Sequence, residues 1–307
     1  MIIIHMTIKY RNSTPSGDYQ LIIISLIHQN KSMLDYMIKN IERYLEGEYL
    51  FFVHYNGSED VDENTLPSWV WLNRSPIQTQ RFTRRLSQAI IGTMAYALQY
   101  INTINIMLMS SGSAFFRKWQ LPSYPQICIE SQQKKINPKN LVIHEGPIPF
   151  ENKGRVVEYL KERGSGGWQY GFEGHGCDQD SFFHECLLKR GIQYFKGCQW
   201  SGQVWPQEVG KWIVEDLLSL KDKPMQYYAC EEIYFSTYAY HFVITLHLPI
   251  YYCEVITNWE YKYEINDIQY IIDLHQKHQN IGHALCKLPD DTNHPVRRFI
   301  QHFYYSP

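Results

Sequence analysis

The alternation of short apolar runs with helical patterns in the first third of the chain constrains its fold most strongly. Residues 21–27 (LIIISLI), 49–55 (YLFFVHY) and 104–111 (INIMLMSS) are apolar runs typical of buried strands. Between these runs, residues 33–45 and 83–100 place apolar side chains three and four positions apart, which predicts amphipathic helices. Strands that alternate with helices form parallel sheets with helices on their faces. We therefore predict an α/β fold with a central, mostly parallel sheet flanked by helices.

The remainder of the chain contains further helical patterns but no sign of a second domain. The predicted helices are 178–190, 206–220, 231–241, 266–277 and 294–303, and residues 242–256 are strand-like. The 307 residues contain no internal repeat and no long linker, so we predict one domain over residues 1–307.

Charge and composition exclude several classes of protein. Lys and Arg total 29 and Asp and Glu total 31, so we expect no nucleic-acid partner. No stretch reaches the roughly 18 apolar residues of a membrane span, so we expect no transmembrane segment. The seven cysteines include no CxxC pair, which indicates neither a zinc ribbon nor a disulfide framework. Reduced thiols fit a cytoplasmic protein.

Small or polar residues follow each of the three predicted strands. The strand ends are Ile27-His28-Gln29, His54-Tyr55-Asn56 and Ser110-Ser111-Gly112-Ser113. In open parallel sheets, ligands bind beyond the carboxyl ends of the strands. Each end by itself could be an ordinary turn, but the three together predict a ligand site at this edge of the sheet.

Common phosphate and metal motifs are absent or poorly placed. Neither GxxxxGK[ST] nor GxGxxG occurs, and the glycine-rich stretch 164–176 is interpreted as a lid or a plain loop. Asp60-Val61-Asp62 is a DxD triplet of the kind that binds a divalent cation, but it lies in an acidic run that is better explained as a solvated loop. We therefore predict no metal ligands.

A pair of carboxylates, Glu231 and Glu232, begins one of the predicted helices. Adjacent residues on a helix point in different directions, so one of the two could enter a site while the other caps the helix. A carboxylate placed against aromatic groups has a raised pKa, which suits a general base. Ordinary acidity at a helix N-terminus is the competing explanation.

Six short segments, taken in order, resemble glycosyltransferase family 14, the core-2/I-branching β-1,6-N-acetylglucosaminyltransferases and peptide xylosyltransferases. The segments are His54-Tyr55-Asn56, 111–116 (SGSAFF), 196–200 (KGCQW), 231–237 (EEIYFST), Trp259-Glu260-Tyr261 and 283–287 (HALCK). Each match is short, and the resemblance depends on the collinear set, which spans roughly residues 20–290. It implies a GT-A-type fold, with a nucleotide-sugar-binding half at 20–115 and an acceptor and catalytic half at 150–303.

The resemblance also implies an activity: inverting, metal-independent transfer of a sugar of the N-acetylglucosamine or xylose class from a UDP-sugar to a glycan hydroxyl, without a cofactor. It implies Glu232 as the general base and Lys287 as the side chain that holds the donor diphosphate, with Lys262 a candidate for the second basic residue. We expect strand-end residues to contact the donor and aromatic residues to contact the acceptor. These are His28, Asn56, Ser111, Gly112 and Ser113 for the donor, and Trp259, Tyr261 and Trp200 for the acceptor.

The sequence departs from the family at several points. Asn56 and Ala114 occupy positions where the family has aspartates, and the first of these often contacts the nucleotide. The membrane anchor and lumenal disulfides usual in the family are not evident. This predicts a cytoplasmic relative from a bacterium or virus, at most peripheral to a membrane.

Two other hypotheses remain open from the residues alone. One is a metal-dependent GT-A transferase that uses Asp60 and Asp62. The other is a non-catalytic relative that binds glycans or nucleotides through its aromatic side chains.

Overall fold

The computed structural model describes the parts of the chain that carry the predicted sheet and most of the predicted helices. The described residues are 7–74, 77, 79, 85–127, 148–149, 181–195, 200–218, 231–246, 256–257, 269, 284–286 and 288–302. The glycine-rich stretch 164–176 lies outside them, as does the predicted helix 266–277 apart from Gln269.

Strands and helices alternate through the described residues. The strands are β1 (Ile8–Lys9), β2 (Gly17–Ile27), β3 (Leu45–Glu46), β4 (Tyr49–Tyr55), β5 (Val61–Asp62), β6 (Val70–Leu72), β7 (Ile101–Ser110), β8 (Ala114–Phe115), β9 (Trp119–Gln120), β10 (Ile148–Pro149), β11 (Tyr194–Phe195), β12 (Val204–Pro206), β13 (Ile256–Thr257) and β14 (Ala284–Cys286). The α-helices are α1 (Lys31–Tyr44), α2 (Arg85–Leu98), α3 (Ser181–Lys189), α4 (Gln207–Leu217), α5 (Ser236–Leu246) and α6 (Pro295–His302). A 3-10 turn (Glu63–Thr65) and a π-helical turn (Glu231–Phe235) complete the set.

The central sheet has five strands in the order β12-β7-β2-β4-β6. Strands β7, β2, β4 and β6 are parallel, and β12 pairs antiparallel with β7 at one edge. The predicted strands at 21–27, 49–55 and 104–111 are confirmed as β2, β4 and β7, and the predicted helices at 33–45 and 83–100 as α1 and α2. The α/β fold with a mostly parallel sheet is therefore confirmed.

Helices cover both faces of the sheet, which explains the continuous apolar runs of its strands. On one face, which we call the α2 face, Ile22, Ile24 and Phe52 pack in a cluster with buried residues of α2, α4 and α5. On the opposite α1 face, Ile23 and Phe51 pack in a second cluster with buried residues of α1 and α6. Alternate residues of each strand thus enter different cores.

The prediction of a strand over 242–256 is wrong for its first residues, because α5 continues to Leu246. Val243, Ile244 and Thr245 are β-branched, which favours a strand in the sequence pattern. In the structure, Phe242 packs edge to face on Trp212 of α4, with ring centroids 5.1 Å apart. Packing of one helical face against α4 therefore overrides the local preference.

No helix among the described residues is long and apolar enough to cross a bilayer.

Alanine substitutions at two helical glycines, Gly92 and Gly210, should change the free energy of unfolding in opposite directions. A Cβ atom at Gly210 of α4 would lie 2.4 Å from the Cδ1 atom of Ile106 and 3.2 Å from the sulfur of Met94, whereas a Cβ atom at Gly92 of α2 would have no neighbour within 4 Å. Gly92→Ala should raise the free energy of unfolding by about 0.5–1 kcal/mol through helix propensity. Gly210→Ala should lower it, because overpacking costs about 1–3 kcal/mol. Urea unfolding of both variants checks the sign, and equal shifts would contradict the packing described here.

Candidate functional site

The strand order reverses between β2 and β7, and we call the region at the carboxyl ends of these two strands the crevice. The chain runs outward from β2 through β4 to β6 and then returns to β7 on the other side of β2. Open α/β sheets bind ligands at such a reversal of strand order. In the register of the sheet, Ile27 lies beside Tyr55 and Leu26 lies beside Ser110. The prediction that the three polar strand ends share one edge of the sheet is confirmed.

A cluster of serine hydroxyls forms the β7 side of this crevice. The Oγ atom of Ser113 lies 2.9 Å from that of Ser110 and 2.7 Å from that of Ser201. Ser201 Oγ also accepts a hydrogen bond from the backbone N–H of Ser110 at 2.9 Å. Ser113 and Ser201 are both buried. The loop after β7 is therefore tied to the chain that leads into β12.

The segments that flank Lys287 lie next to the same loop. Strand β14 pairs antiparallel with β8, so that Leu285 lies beside Ala114. The backbone N–H of Leu288 donates to the carbonyl of Gly112 at 2.8 Å. Lys287 itself lies outside the described residues, but its chain neighbours on both sides are at the end of β7. Strand β13, which ends two residues before Trp259, pairs with β14.

Polar contacts fix the side chain of Asn56 at the end of β4. Its Nδ2 atom donates to the carbonyl of Ile77 at 2.8 Å and to the hydroxyl of Thr79 at 2.9 Å. The same hydroxyl lies 2.8 Å from Nδ1 of His28, which is exposed at the end of β2. Because the amide nitrogen is committed to these partners, the side-chain oxygen Oδ1 is the group that Asn56 offers to a ligand.

Hydrogen bonds at both ring nitrogens fix the side chain of His54 near the end of β4. Its Nε2 atom lies 2.8 Å from the carbonyl of Ile77, so Nε2 carries the proton, and Nδ1 accepts from the side-chain amide of Asn73 at 3.3 Å. The Asn73 amide also donates to Thr93 of α2 at 3.0 Å. Burial lowers the pKa of His54 from 6.5 to about 4, and the Ile77 carbonyl opposes part of that shift. His54 therefore stays neutral and holds residue 77 over the strand end.

The lowered pKa of His54 predicts a loss of stability in acid. The unfolded chain takes up the proton as the pH falls through about 6.5, whereas the folded chain resists it until about 4, so the free energy of unfolding falls across that window. The expected contribution is on the order of 3 kcal/mol. Urea unfolding between these pH values should give a clearly flatter pH profile for His54→Gln, while His302→Gln at the exposed end of α6 should match the wild type. Equal profiles for all three proteins would contradict the burial of a neutral His54.

Glu231 is located by a buried hydrogen bond to α2. Ser87 Oγ donates to Glu231 Oε2 at 2.6 Å, and both residues are buried. Thr93 of the same helix bonds to Asn73, which lies just past β6. Ser87 lies about 9 Å before Thr93 along the helix axis. Because α2 connects the carboxyl end of β6 to the amino end of the parallel strand β7, its first turn lies at the carboxyl ends of the strands. The Glu231 carboxylate, and with it the backbone of Glu232, therefore enters the fold at the edge that contains the crevice.

The remaining predicted site residues divide into a buried tryptophan and a set outside the described side chains. Trp200 is 8% exposed and packs in the core of the α2 face, and its contact with an acceptor stays a prediction. The others remain predictions because their side chains are outside the described part of the structure. They are Glu232, Lys287, Lys262, Trp259 and Tyr261.

Asp60 and Asp62 take part in local hydrogen bonds at an outer corner of the sheet. Asp60 accepts from the backbone N–H of Thr7, and Asp62 accepts from the backbone and side-chain nitrogens of Asn64 at 3.0 and 2.8 Å. These bonds lower the pKa of Asp62. Strand β5, which contains Asp62, pairs with β1 beyond the edge strand β6, whereas the crevice lies between β2 and β7. Asp60 and Asp62 are therefore engaged in local bonds of this loop.

Sequence reasoning missed several residues that shape the crevice. Ser201 and Thr79 hold strand-end side chains in place, and Asn73 supports His54. Ser201 directly follows the segment 196–200 that contributes to the family resemblance, so its position was a usable signal. Thr79 and Asn73 lie in the connection between β4 and α2, where the sequence shows no motif.

Comparison of the chain with protein-family models gives no match, and comparison with curated proteins gives no significant match.

Proposed function

We propose that this protein is an inverting glycosyltransferase of GT-A type that transfers a sugar from a UDP-sugar to a glycan hydroxyl without a metal ion. The observation that supports the proposal is that resembling segments, or residues directly beside them in the chain, lie at one edge of the sheet. Segments far apart in the sequence meet around the end of β7: the loop 110–113, Ser201, and the strands β13 and β14. The backbone of Glu231–Glu232 and the strand end at Asn56 belong to the same edge.

The crevice between β2 and β7 suits the nucleoside diphosphate part of the donor. Asn56 presents a hydrogen-bond acceptor on one side, and the small residues of the 110–113 loop lie on the other. Lys287 follows β14 directly and supplies a positive charge for the diphosphate, which accumulates negative charge as the sugar leaves. Lys262 is the candidate for a second cation.

Glu232 is the general base in this mechanism. It removes the proton from the acceptor hydroxyl as that oxygen attacks the anomeric carbon, and the bond between this carbon and the diphosphate oxygen breaks with its electron pair moving to the diphosphate. Attack opposite to the leaving group inverts the configuration. Trp259 and Tyr261 supply flat faces on which the acceptor sugar stacks. Glu231 is held by Ser87, which leaves its neighbour as the carboxylate available to the substrate.

The π-helical turn at Glu231–Phe235 also supports a functional role for this segment, because such turns are frequent at functional sites. The turn is short and passes directly into α5, which packs on α4. The carboxylates are therefore attached to a helix that packs in the core of the α2 face.

Turnover of the donor should survive removal of metal ions. The physical reason is that a lysine charge stabilises the leaving diphosphate without having to load a cation. The measurement is consumption of UDP-sugars in excess EDTA, followed by addition of manganese. Activity that disappears with EDTA and returns with manganese would contradict the proposed mechanism and favour a metal-dependent transferase.

A further inference from the structure

Arg297 is a buried arginine that joins the two segments on either side of the candidate diphosphate site. It lies in α6 and is 0% exposed. Its Nη2 atom donates to the carbonyl of Ser111 at 2.9 Å, and its Nε atom donates to the carbonyl of Pro289 at 2.5 Å. Ser111 belongs to the loop after β7, and Pro289 follows Lys287 by two residues. One guanidinium therefore links both segments.

The surroundings of this guanidinium are unusual for a buried charge. Within the described part of the chain, none of the ion pairs includes Arg297, and its Nη1 atom has no hydrogen-bond partner. The guanidinium also lies over the ring of Tyr36, 4.7 Å from its centroid, and interacts with the hydroxyl of that residue. Burial lowers the pKa of Arg297 and costs free energy, and Tyr36 together with the charges of Asp290 and Asp291 offsets only part of that effect. A methionine would fill similar space without that cost, so the distinctive contribution of the arginine is the position of the two carbonyls.

The bond to Ser111 fixes the direction of a backbone donor. A trans peptide is planar, and its carbonyl and N–H groups point in opposite directions. The described residues contain no cis peptide bond. Since the Ser111 carbonyl points at Arg297, the N–H of Gly112 points away from it. The next carbonyl, that of Gly112, accepts from Leu288. Two successive peptide groups of the loop are therefore held in fixed orientations.

The segment after Lys287 is held at three successive residues. Leu288 bonds to the loop after β7, Pro289 bonds to Arg297, and Asp290 accepts from the side-chain amide of Gln29 at 3.0 Å. Gln29 lies at the end of β2, so residues 288–290 extend from the β7 side of the crevice to the β2 side. Lys287 immediately precedes residues 288–290 in the chain.

We infer that Arg297 is a positioning residue that aligns the Ser111–Gly112 peptide and the segment following Lys287 for binding of the donor diphosphate. The inference rests on the proposed function. It assigns a role in this site to a buried residue of helix α6, which is bonded to the site through these two carbonyls.

The test compares Arg297→Met with Arg298→Met. Arg298 is the next residue of the same helix and is exposed, and its guanidinium donates to the side chain of Asn293. Both changes remove one positive charge. Binding of UDP and of uridine is measured by calorimetry on folded protein, with circular dichroism as the fold control. We expect Arg297→Met to lose affinity for UDP by roughly tenfold or more while uridine affinity changes little. Arg298→Met should match the wild type.

Arg297→Lys is measured in parallel because it keeps the charge and most of the volume. Lysine lacks the planar fork that holds two acceptors at fixed angles, so a smaller loss of UDP affinity is expected. Unchanged UDP affinity in both Arg297 variants would overturn the inference and leave the proposed function intact. Equal losses for UDP and uridine would also overturn it, because they indicate general damage to the fold. A wild-type protein that binds UDP no better than uridine would instead overturn the proposed function itself.

Discussion

Glu232→Gln is expected to slow sugar transfer by roughly 10²–10⁴-fold, the usual contribution of a general base. The amide cannot take up the proton of the attacking hydroxyl, although it has nearly the same size as the carboxylate. Affinity for the donor should hardly change, because the base acts on the acceptor and not on the diphosphate. The measurements are the turnover number and the donor dissociation constant, with melting temperature as the fold control.

Glu231→Gln is the matched control for this change. The two residues are adjacent, so either substitution removes the same charge from the same helical turn. The carboxylate of Glu231 is buried and accepts from Ser87 at 2.6 Å. Its loss should therefore reduce stability by about 1 kcal/mol and leave most of the activity. If Glu231→Gln is the inactive variant, the assignment of the base is displaced by one residue; if neither matters, the mechanism is wrong.

Lys287→Ala is expected to weaken UDP binding by about 10–100-fold while uridine binding stays nearly unchanged. A charge-assisted hydrogen bond is worth about 1.5–3 kcal/mol, and only the diphosphate can form it with a lysine. Calorimetry with UDP and with uridine measures the difference directly. The effect should diminish in high salt if the site is open to solvent.

Lys118→Ala is a suitable control for the loss of charge. Lys118 is exposed and pairs with Glu46 at 2.8 Å, and β9, which follows it, pairs with β3 and not with the central sheet. Its removal should alter neither affinity. A similar loss of UDP affinity in both variants would mean that overall charge, and not a contact with Lys287, attracts the ligand.

The sheet was predictable where its strands carry enough buried residues to form a pattern. Strands β2, β4 and β7 are seven residues or longer, and their apolar runs identify them. Strands β6 and β12 have three residues each and are strands because they pair with β4 and β7. Pairing of this kind depends on distant parts of the chain, so a local pattern does not show it.

The candidate site was predictable in outline for a similar reason. Parallel strands bring their carboxyl ends to one edge, so polar residues after each strand were expected to meet there. The contacts that organise this edge join residues far apart in the chain. Ser113 contacts Ser201, Ser87 contacts Glu231, and Ser111 contacts Arg297. No spacing rule predicts such pairs, because they depend on how the second half of the chain packs on the sheet.

Arg297 illustrates this limit. In the sequence it is one of two adjacent arginines in a predicted helix near the end of the chain, which is typical of a solvated face. In the structure Arg298 is exposed and Arg297 is completely buried. Helical geometry separates the two by about 100° around the axis, and only the packing of α6 on the α1 face determines which of them is inside.

The most direct test of the account is a thermal-shift comparison of the wild-type protein with UDP, UDP-sugars and uridine. A ligand that binds only the folded state raises its stability by about 2.7 kcal/mol at a concentration of 100 times the dissociation constant, which corresponds to a rise of several degrees in melting temperature. We predict this rise for UDP and for at least one UDP-sugar, a smaller rise for uridine, and loss of the difference in Lys287→Ala. Melting temperatures that none of these ligands changes would contradict a nucleotide-sugar site in this protein.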